Sequence, residues 1–282
     1  MELGYAPLTP WIPGRLPGMS PLAMEGWLHR DEAFEEQMAY RDRLIAERGE
    51  IVLAGEGCDG AEELLDLVLA TLAVHDRDYD VGDDAARRPD GETVALDRSR
   101  PLATLGRLAQ EDFVILRKGP EDAEHVLIGA ILCFPSRWSL AEKFGRPLVA
   151  IHERVPVYDE GLAPRVQRLF DVLTPDRPLV RANWLLHPTP ELHQPKLFEG
   201  NKKPHDPTGR FWLRVERQSI LKLRSSGHAV FSIKTLVTSV EALAEDQRES
   251  LIAALEEKPK AMQDYHGGAA FTQLALAALR AL

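Results

Sequence analysis

The chain has 282 residues, 44% of them hydrophobic, enough to bury a core without disulfide or metal staples. Its 34 Lys and Arg against 44 Asp and Glu leave a formal net charge of −10, which argues against a nucleic-acid partner, because phosphate-backbone binding needs concentrated cations. Cys58 and Cys133 are too few for a disulfide framework, the apolar runs at 64–74 and 126–134 fall short of the roughly 20 residues that span a bilayer, and no secretory leader is recognised, so a soluble cytoplasmic protein with no membrane partner is expected.

Taken in chain order, the first 21 residues carry Pro7, Pro10, Pro13, Pro17 and Pro21 with Gly4, Gly14 and Gly18, and read as an extended arm. Residues 31–48 and 61–75 have the Glu, Ala, Arg and Leu content of helices, separated by a loop with Gly55, Gly57 and Gly60 and followed by an acidic loop at 76–91. A soft boundary near residue 90 makes 1–90 a Pro-rich arm plus helical extension. Beyond it, 93–96, 113–117 and 126–133 read as strands of an antiparallel meander. Ser139 and Glu142 form a capping box for a short helix that Gly145 and Pro147 stop, and Leu162, Val166, Leu169 and Phe170 give 160–173 helical spacing. A strand over 179–187 leads into a polar, Pro-rich insertion at 188–208. The strongest strand signal is 211–223 and 229–237, a hairpin around Gly227. Thr238, Ser239, Val240 and Glu241 form a second capping box that opens a helix to about 257, and a last helix covers 269–282. Strands at 91–237 between helices at both ends predict an α+β fold, with 238–282 packing on the core.

The densest group of reactive and planar side chains runs from Cys133 through Arg137 and Trp138 to His152 and Arg154, with no phosphate loop, nucleophile elbow or paired-cysteine zinc pattern to name a reaction. His152 suits a metal ligand or a base, or equally a hydrogen-bonded structural histidine. Cys133 ends an apolar run and reads as a buried, inert thiol before it reads as a nucleophile. His187, Glu191 and His193 resemble a metal cluster, but Pro188 and Pro190 prevent a helical face from aligning them. Arg214, Glu216 and Gln218 share one strand face, expected to be solvated, whereas Arg217 shares the face of Leu213 and Val215, where it would need a carboxylate. Trp138, Trp184 and Trp212 are core residues by default, or walls for a planar cofactor.

These residues also carry a resemblance. Cys133, Phe134, Pro135, Ser136, Arg137 and Trp138, then Lys143, Phe144 and Gly145, then 151–156, then Arg181, Ala182, Asn183 and Trp184, then 213–220 and 229–235, are similar in order to a bacterial and fungal family typified by the haem-dependent oxidative N-demethylase. The resemblance spans about residues 92–240. It implies a PAS-like antiparallel sheet core over 91–237 that binds haem b and removes a methyl group from a small secondary amine such as dimethylamine, with O2 as oxidant and formaldehyde as product. Electrons would come from a separate flavin and iron–sulfur reductase, since the chain has neither the cysteines for a four-cysteine cluster nor a dinucleotide-binding glycine fingerprint. It further implies His152 as axial iron ligand, ahead of His187 and Cys133. Arg137, Arg154, Arg214 and Trp138 would lie around the macrocycle, and Tyr158, Asp159 and Glu216 would orient the amine or deliver protons. Two departures stand out: Arg224 follows Leu223 where the family often has proline, and the 188–208 insertion is free to reshape the pocket.

Other classes stay open at this point. A haem-based PAS sensor fits the same fold, although no output domain is recognisable. A hydrolase using Cys133 and His152, or a haem-free interaction protein, would be colourless. The sequence leaves the amine, the reductase and self-association undetermined.

Overall fold

The computed structural model of the protein describes residues 18–156, 158, 161–195 and 209–282. Residues 1–17 of the arm expected at the N-terminus, Asp159, and residues 196–208 of the insertion lie outside the described residues. The elements before the main sheet are β1 (Ser20–Pro21), α1 (Phe34–Glu47), α2 (Gly49–Val52), β2 (Leu53–Ala54), α3 (Ala61–His75), β3 (Asp80–Val81), β4 (Ala85–Arg87), β5 (Thr93–Ala95) and α4 (Pro101–Leu108). Then come β6 (Glu111–Arg117), β7 (Val126–Ile131), α5 (Leu140–Lys143), α6 (Leu148–Ile151) and α7 (Ala163–Asp171). The chain closes with β8 (Leu179–His187), β9 (Trp212–Lys222), β10 (Ala229–Ser239), α8 (Glu245–Glu256), α9 (Lys260–Tyr265) and α10 (Gly268–Arg280).

The main sheet has seven strands in the order β1-β8-β9-β10-β6-β7-β2, each pair antiparallel. The expected hairpin is its longest pairing, with Ala229 opposite Lys222 and Ser239 opposite Trp212. The expected α+β class is therefore observed, with helices before and after the sheet. Two details of the sequence reading are corrected, and one helix is added that it did not include. The strand at 93–95 is not part of the main meander but pairs with β4 in a separate three-stranded sheet. Residues 101–108 form α4, whose Pro101 sits at the helix start where its missing N–H costs nothing. The second capping box does not open the long helix: Ser239 caps a 3-10 turn at Val240–Ala242, and α8 begins only at Glu245.

Both sides of the sheet are covered. Phe113, Ile115, Leu221 and Val230 meet α1, α3 and α4 in one apolar cluster, which also takes in Val94 and Ala86 of the small sheet. Farther along the same side, Ala182, Trp184, Leu213 and Val215 pack against α8 and α10. The opposite side carries Val114, Leu116, Ile220 and Ala229, which α5, α6 and α7 cover through Leu140, Leu148 and Phe170. Alternation along the strands then sends Arg181, Asn183, Arg214, Glu216, Gln218 and Thr235 toward this opposite side, beyond the reach of the apolar cluster. The crossover from β7 to β8 thus stands over a polar stretch of sheet.

Candidate functional site

The face expected to be solvated is interior. Arg214 and Gln218 are buried, and the Glu216 side chain is only 12% exposed. Buried polar groups need partners, and these form a ladder across the strands. Arg181 Nε donates to Gln218 Oε1 at 2.8 Å, Gln218 Nε2 donates to Glu216 Oε2 at 3.1 Å, and Arg214 Nε donates to Glu216 Oε1 at 3.4 Å. Burial holds the guanidinium pKa of Arg181 and Arg214 below the ordinary value, with Glu216 opposing it in both. Arg217, on the other side of the strand, is buried as expected, but its first partners are backbone carbonyls, those of Trp27 and Gly26.

The turn that follows β7 is clamped from two directions. Asp112 accepts from the backbone N–H groups of Cys133 at 2.7 Å and Phe134 at 2.9 Å, and from Arg41 Nη1 of α1 at 2.8 Å. From β9, on the same face of the sheet, Arg214 Nη2 donates to the Phe134 carbonyl at 2.6 Å and Nη1 to the Leu192 carbonyl at 2.9 Å. The segment after β8 joins the same clamp: His193 Nδ1–H donates to the Cys133 carbonyl at 2.7 Å, and Arg137 N–H to the Gln194 carbonyl at 2.7 Å. Arg137 sits here in the left-handed backbone region, φ 62°, which non-glycine residues enter mainly at turns and functional sites.

Past this turn lies a cleft of about 110 Å³, lined among others by Ser136, Arg137, Trp138, Lys143, Arg154 and Tyr265. Two of its cations, Arg137 and Lys143, make no ion pair among the described residues, while Arg146 pairs with Glu153 at 3.4 Å and Glu142 also lines the cleft. Arg137 is 6% exposed, its guanidinium meets the carbonyl and ring of Tyr265, and its buried Nε has no hydrogen-bond partner among the described residues. Lys143 makes no hydrogen bond or ion pair among the described residues; its ammonium rests 4.3 Å from the centre of the Trp138 ring. Burial pushes Lys143 down to about 8, helped by Arg154 and Arg146 and opposed by Glu142 and Glu216. A protein of net charge −10 has here built a local excess of positive charge.

His152 ends α6 beside the cleft rather than in its lining. Its Nδ1–H donates to the Leu148 carbonyl at 2.8 Å, the bond a helix end offers to a ring four residues on. That fixes the tautomer and puts the lone pair on Nε2, which has no hydrogen bond recorded among the described residues, the arrangement found in metal-binding histidines. Burial pushes its pKa down to about 4, with Lys143 and Arg181 adding to the effect, so the ring is neutral at pH 7. Tyr158 stacks on it with centroids 4.4 Å apart and planes 16° from parallel, and burial raises the phenol to about 12.

Of the residues singled out from sequence, the structure gathers Arg137, Trp138 and Arg154 at the cleft, His152 and Tyr158 beside it, and Glu216 on the sheet facing them. Arg214 is committed to protein acceptors. Cys133 is fully buried, with its thiol pushed up to about 12 by burial, as an inert thiol should be. His187 is buried at the end of β8, while Glu191 accepts from Tyr40 and from His193 N–H; no group of three or more metal-ligating side chains is found among the described residues. Trp184 belongs to the α8 and α10 core, beneath Lys258. Sequence reasoning passed over Lys143, Arg181 and Tyr265. The first two stand within motifs already marked, but Tyr265 arrives from the far end of the chain and had no local signal.

No helix among the described residues is long and apolar enough to cross a membrane. No curated protein matches the chain. The model of a family described as haem-dependent oxidative N-demethylase, alpha subunit-like, matches residues 18–276, from the first described strand to the last helix, and the chain belongs to that family.

Proposed function

We propose that this protein binds haem b between the α5–α7 layer and the polar face of β8–β10, and oxidatively N-demethylates a small secondary amine of the dimethylamine type. The observation that carries the reading is the pairing of a neutral, tautomer-fixed imidazole with a cleft in which Arg137 and Lys143 make no ion pair among the described residues. Iron calls for one such nitrogen, and the two carboxylates of haem call for such cations. The donor set therefore fits the group that the family name implies. The volume is the one demand not met by the closed cleft. Ligand pockets occupy about 300–1,000 Å³, so seating a macrocycle requires the α5–α7 layer to move outward.

In this reading His152 Nε2 would hold the iron, Arg137 and Arg154 would meet the carboxylates, and Trp138 would wall the ring. Bound haem supplies the centre at which O2 is reduced. The overall change takes up O2, two electrons and two protons, and turns dimethylamine into methylamine, formaldehyde and water. Glu216 offers a carboxylate to the amine N–H, held in place by Gln218 and Arg214. Tyr158 keeps its proton at Oη through the physiological range, so it acts as a hydrogen-bond donor near the reacting atoms. Asp159 is the neighbouring acid for proton supply. The name alpha subunit-like supports a separate protein as electron source, and a flavin and iron–sulfur reductase is the class that fits a chain without redox modules.

The test is turnover. Haem-loaded protein with dimethylamine, O2 and a reductant should release formaldehyde and methylamine in equal amounts, and His152→Ala should lose haem and turnover together. Haem binding without amine oxidation across a panel of methylated amines would instead favour a sensor.

A further inference from the structure

Lys143 is the least accounted-for charge in the protein. It ends α5, close to the Ser139–Glu142 capping box, and its ammonium points across the face of Trp138 into the cleft. The charged groups facing it are Glu142 of its own helix, Glu216 of β9, and Arg146 and Arg154 of the segment that follows. None of the carboxylates lies within ion-pair distance of it. Arg137, lining the same cleft, is more than nine-tenths buried and has an orphaned Nε–H. An unpaired cation drawn out of water is costly, and a buried Arg137 beside a half-buried Lys143 in one cleft is most simply explained by an anion that enters it. The planar Trp138 face serves as a resting place that can be left without breaking a hydrogen bond.

We propose that Lys143 and Arg137 form a carboxylate-binding pair, with Lys143 leaving the Trp138 ring to meet the anion. The inference rests on the haem reading above and adds a residue to it. The carboxylate has two sources: a propionate of haem, or the carboxylate of the substrate, in which case the substrate class is an N-methylated amino acid rather than a simple amine. Local charge bears on that choice, because a cleft rich in Arg and Lys repels a plain dimethylammonium ion and tolerates a zwitterion.

The experiment is a Soret titration of the full chain with haemin and with haemin dimethyl ester, for wild type, Lys143→Gln and Lys143→Arg, each first shown to be folded by circular dichroism. The haem-loaded proteins are then titrated with N-methylglycine and with dimethylamine, reading the shift of the Soret band. If the propionate is the anion, Lys143→Gln weakens haemin binding about ten- to a hundred-fold, leaves the ester unaffected, and is rescued by Lys143→Arg. If the substrate carries the carboxylate, Lys143→Gln binds haemin normally but loses the response to N-methylglycine while keeping that to dimethylamine. Unchanged behaviour in both titrations, or equal weakening of haemin and its ester, overturns the pair. Failure of the wild type to develop a Soret band removes the haem reading itself, a result distinct from either.

Discussion

The imidazole of His152 lies stacked on the phenol of Tyr158, ring centroids 4.4 Å apart and planes 16° from parallel, while its Nδ1–H is held by the Leu148 carbonyl. Stacking and hydrogen bond together fix the ring, and burial keeps it neutral. Histidine at an ordinary site titrates near 6.5; here the folded value is pushed down to about 4. In a nuclear magnetic resonance titration of the haem-free protein, the His152 ring should therefore stay unprotonated from pH 8 to pH 5. A midpoint near 6.5 would show that the ring is solvated.

The same depression has a thermodynamic consequence. Because the unfolded chain takes up the His152 proton below about 6.5 and the folded chain only near 4, stability from this group is complete above pH 6.5 and is lost as pH falls through that window. His152→Gln should flatten the acid limb of the stability curve between pH 6.5 and 4. An unchanged limb, measured by urea unfolding at a series of pH values, would place the acid sensitivity elsewhere; His125 and His29, both also lowered by burial, are the alternatives.

Asp112 links α1 to the turn that carries Arg137. Removing it leaves Arg41 buried without its carboxylate and two backbone N–H groups without acceptors. Asp112→Ala should cost about 3–5 kcal/mol, the range for breaking one side of a buried pair. Urea unfolding measures this directly, and a loss under about 1 kcal/mol would mean that water replaces the carboxylate.

Arg214, on the same face of the sheet as Asp112 by strand register, holds the same turn through the Phe134 carbonyl, while Asp112 holds it through the Phe134 N–H. Two clamps on one peptide unit should not act independently. Arg214→Lys, which cannot reproduce the forked geometry, combined with Asp112→Asn should show a coupling energy of about 0.5–3 kcal/mol in a double-mutant cycle. Strict additivity would show that the turn is fixed by its own conformation.

The narrow cleft predicts where the protein must yield. On haemin binding, hydrogen exchange should change in the α5–α7 layer, residues 140–171, while α1 and α3, which pack on the far side of the sheet, keep their protection. An exchange pattern confined to α1 and α3 would put the haem on the wrong face in our account.

What the sequence could and could not disclose follows from range. The β9–β10 hairpin was legible because alternation and a glycine turn are local signals, and Gly227 indeed takes the positive φ, 71°, that the turn requires. The polarity of Arg214, Glu216 and Gln218 was legible too, but alternation gives the face of a strand and not what lies over it. Their burial depends on the α5–α7 crossover folding back. α4 was missed because Gly106 weakens its helical pattern; a Cβ at that position would meet Ile131 and Ile45 side chains at 2.7 and 2.8 Å, so the glycine serves packing between helix and sheet. Arg41, one of several charges in the helical stretch 31–48, is fully buried against Asp112, 71 residues away, a partner no local pattern discloses. Lys143 was quoted within a motif, yet nothing in the motif says that its ammonium lacks a partner.

The measurement that bears most directly on the account is the absorption spectrum of the full chain, expressed with haem precursor, before and after dithionite and carbon monoxide. We expect a strong Soret band that shifts on reduction and again on carbon monoxide binding, and that disappears in His152→Ala. A featureless spectrum after reconstitution with haemin would contradict the central claim.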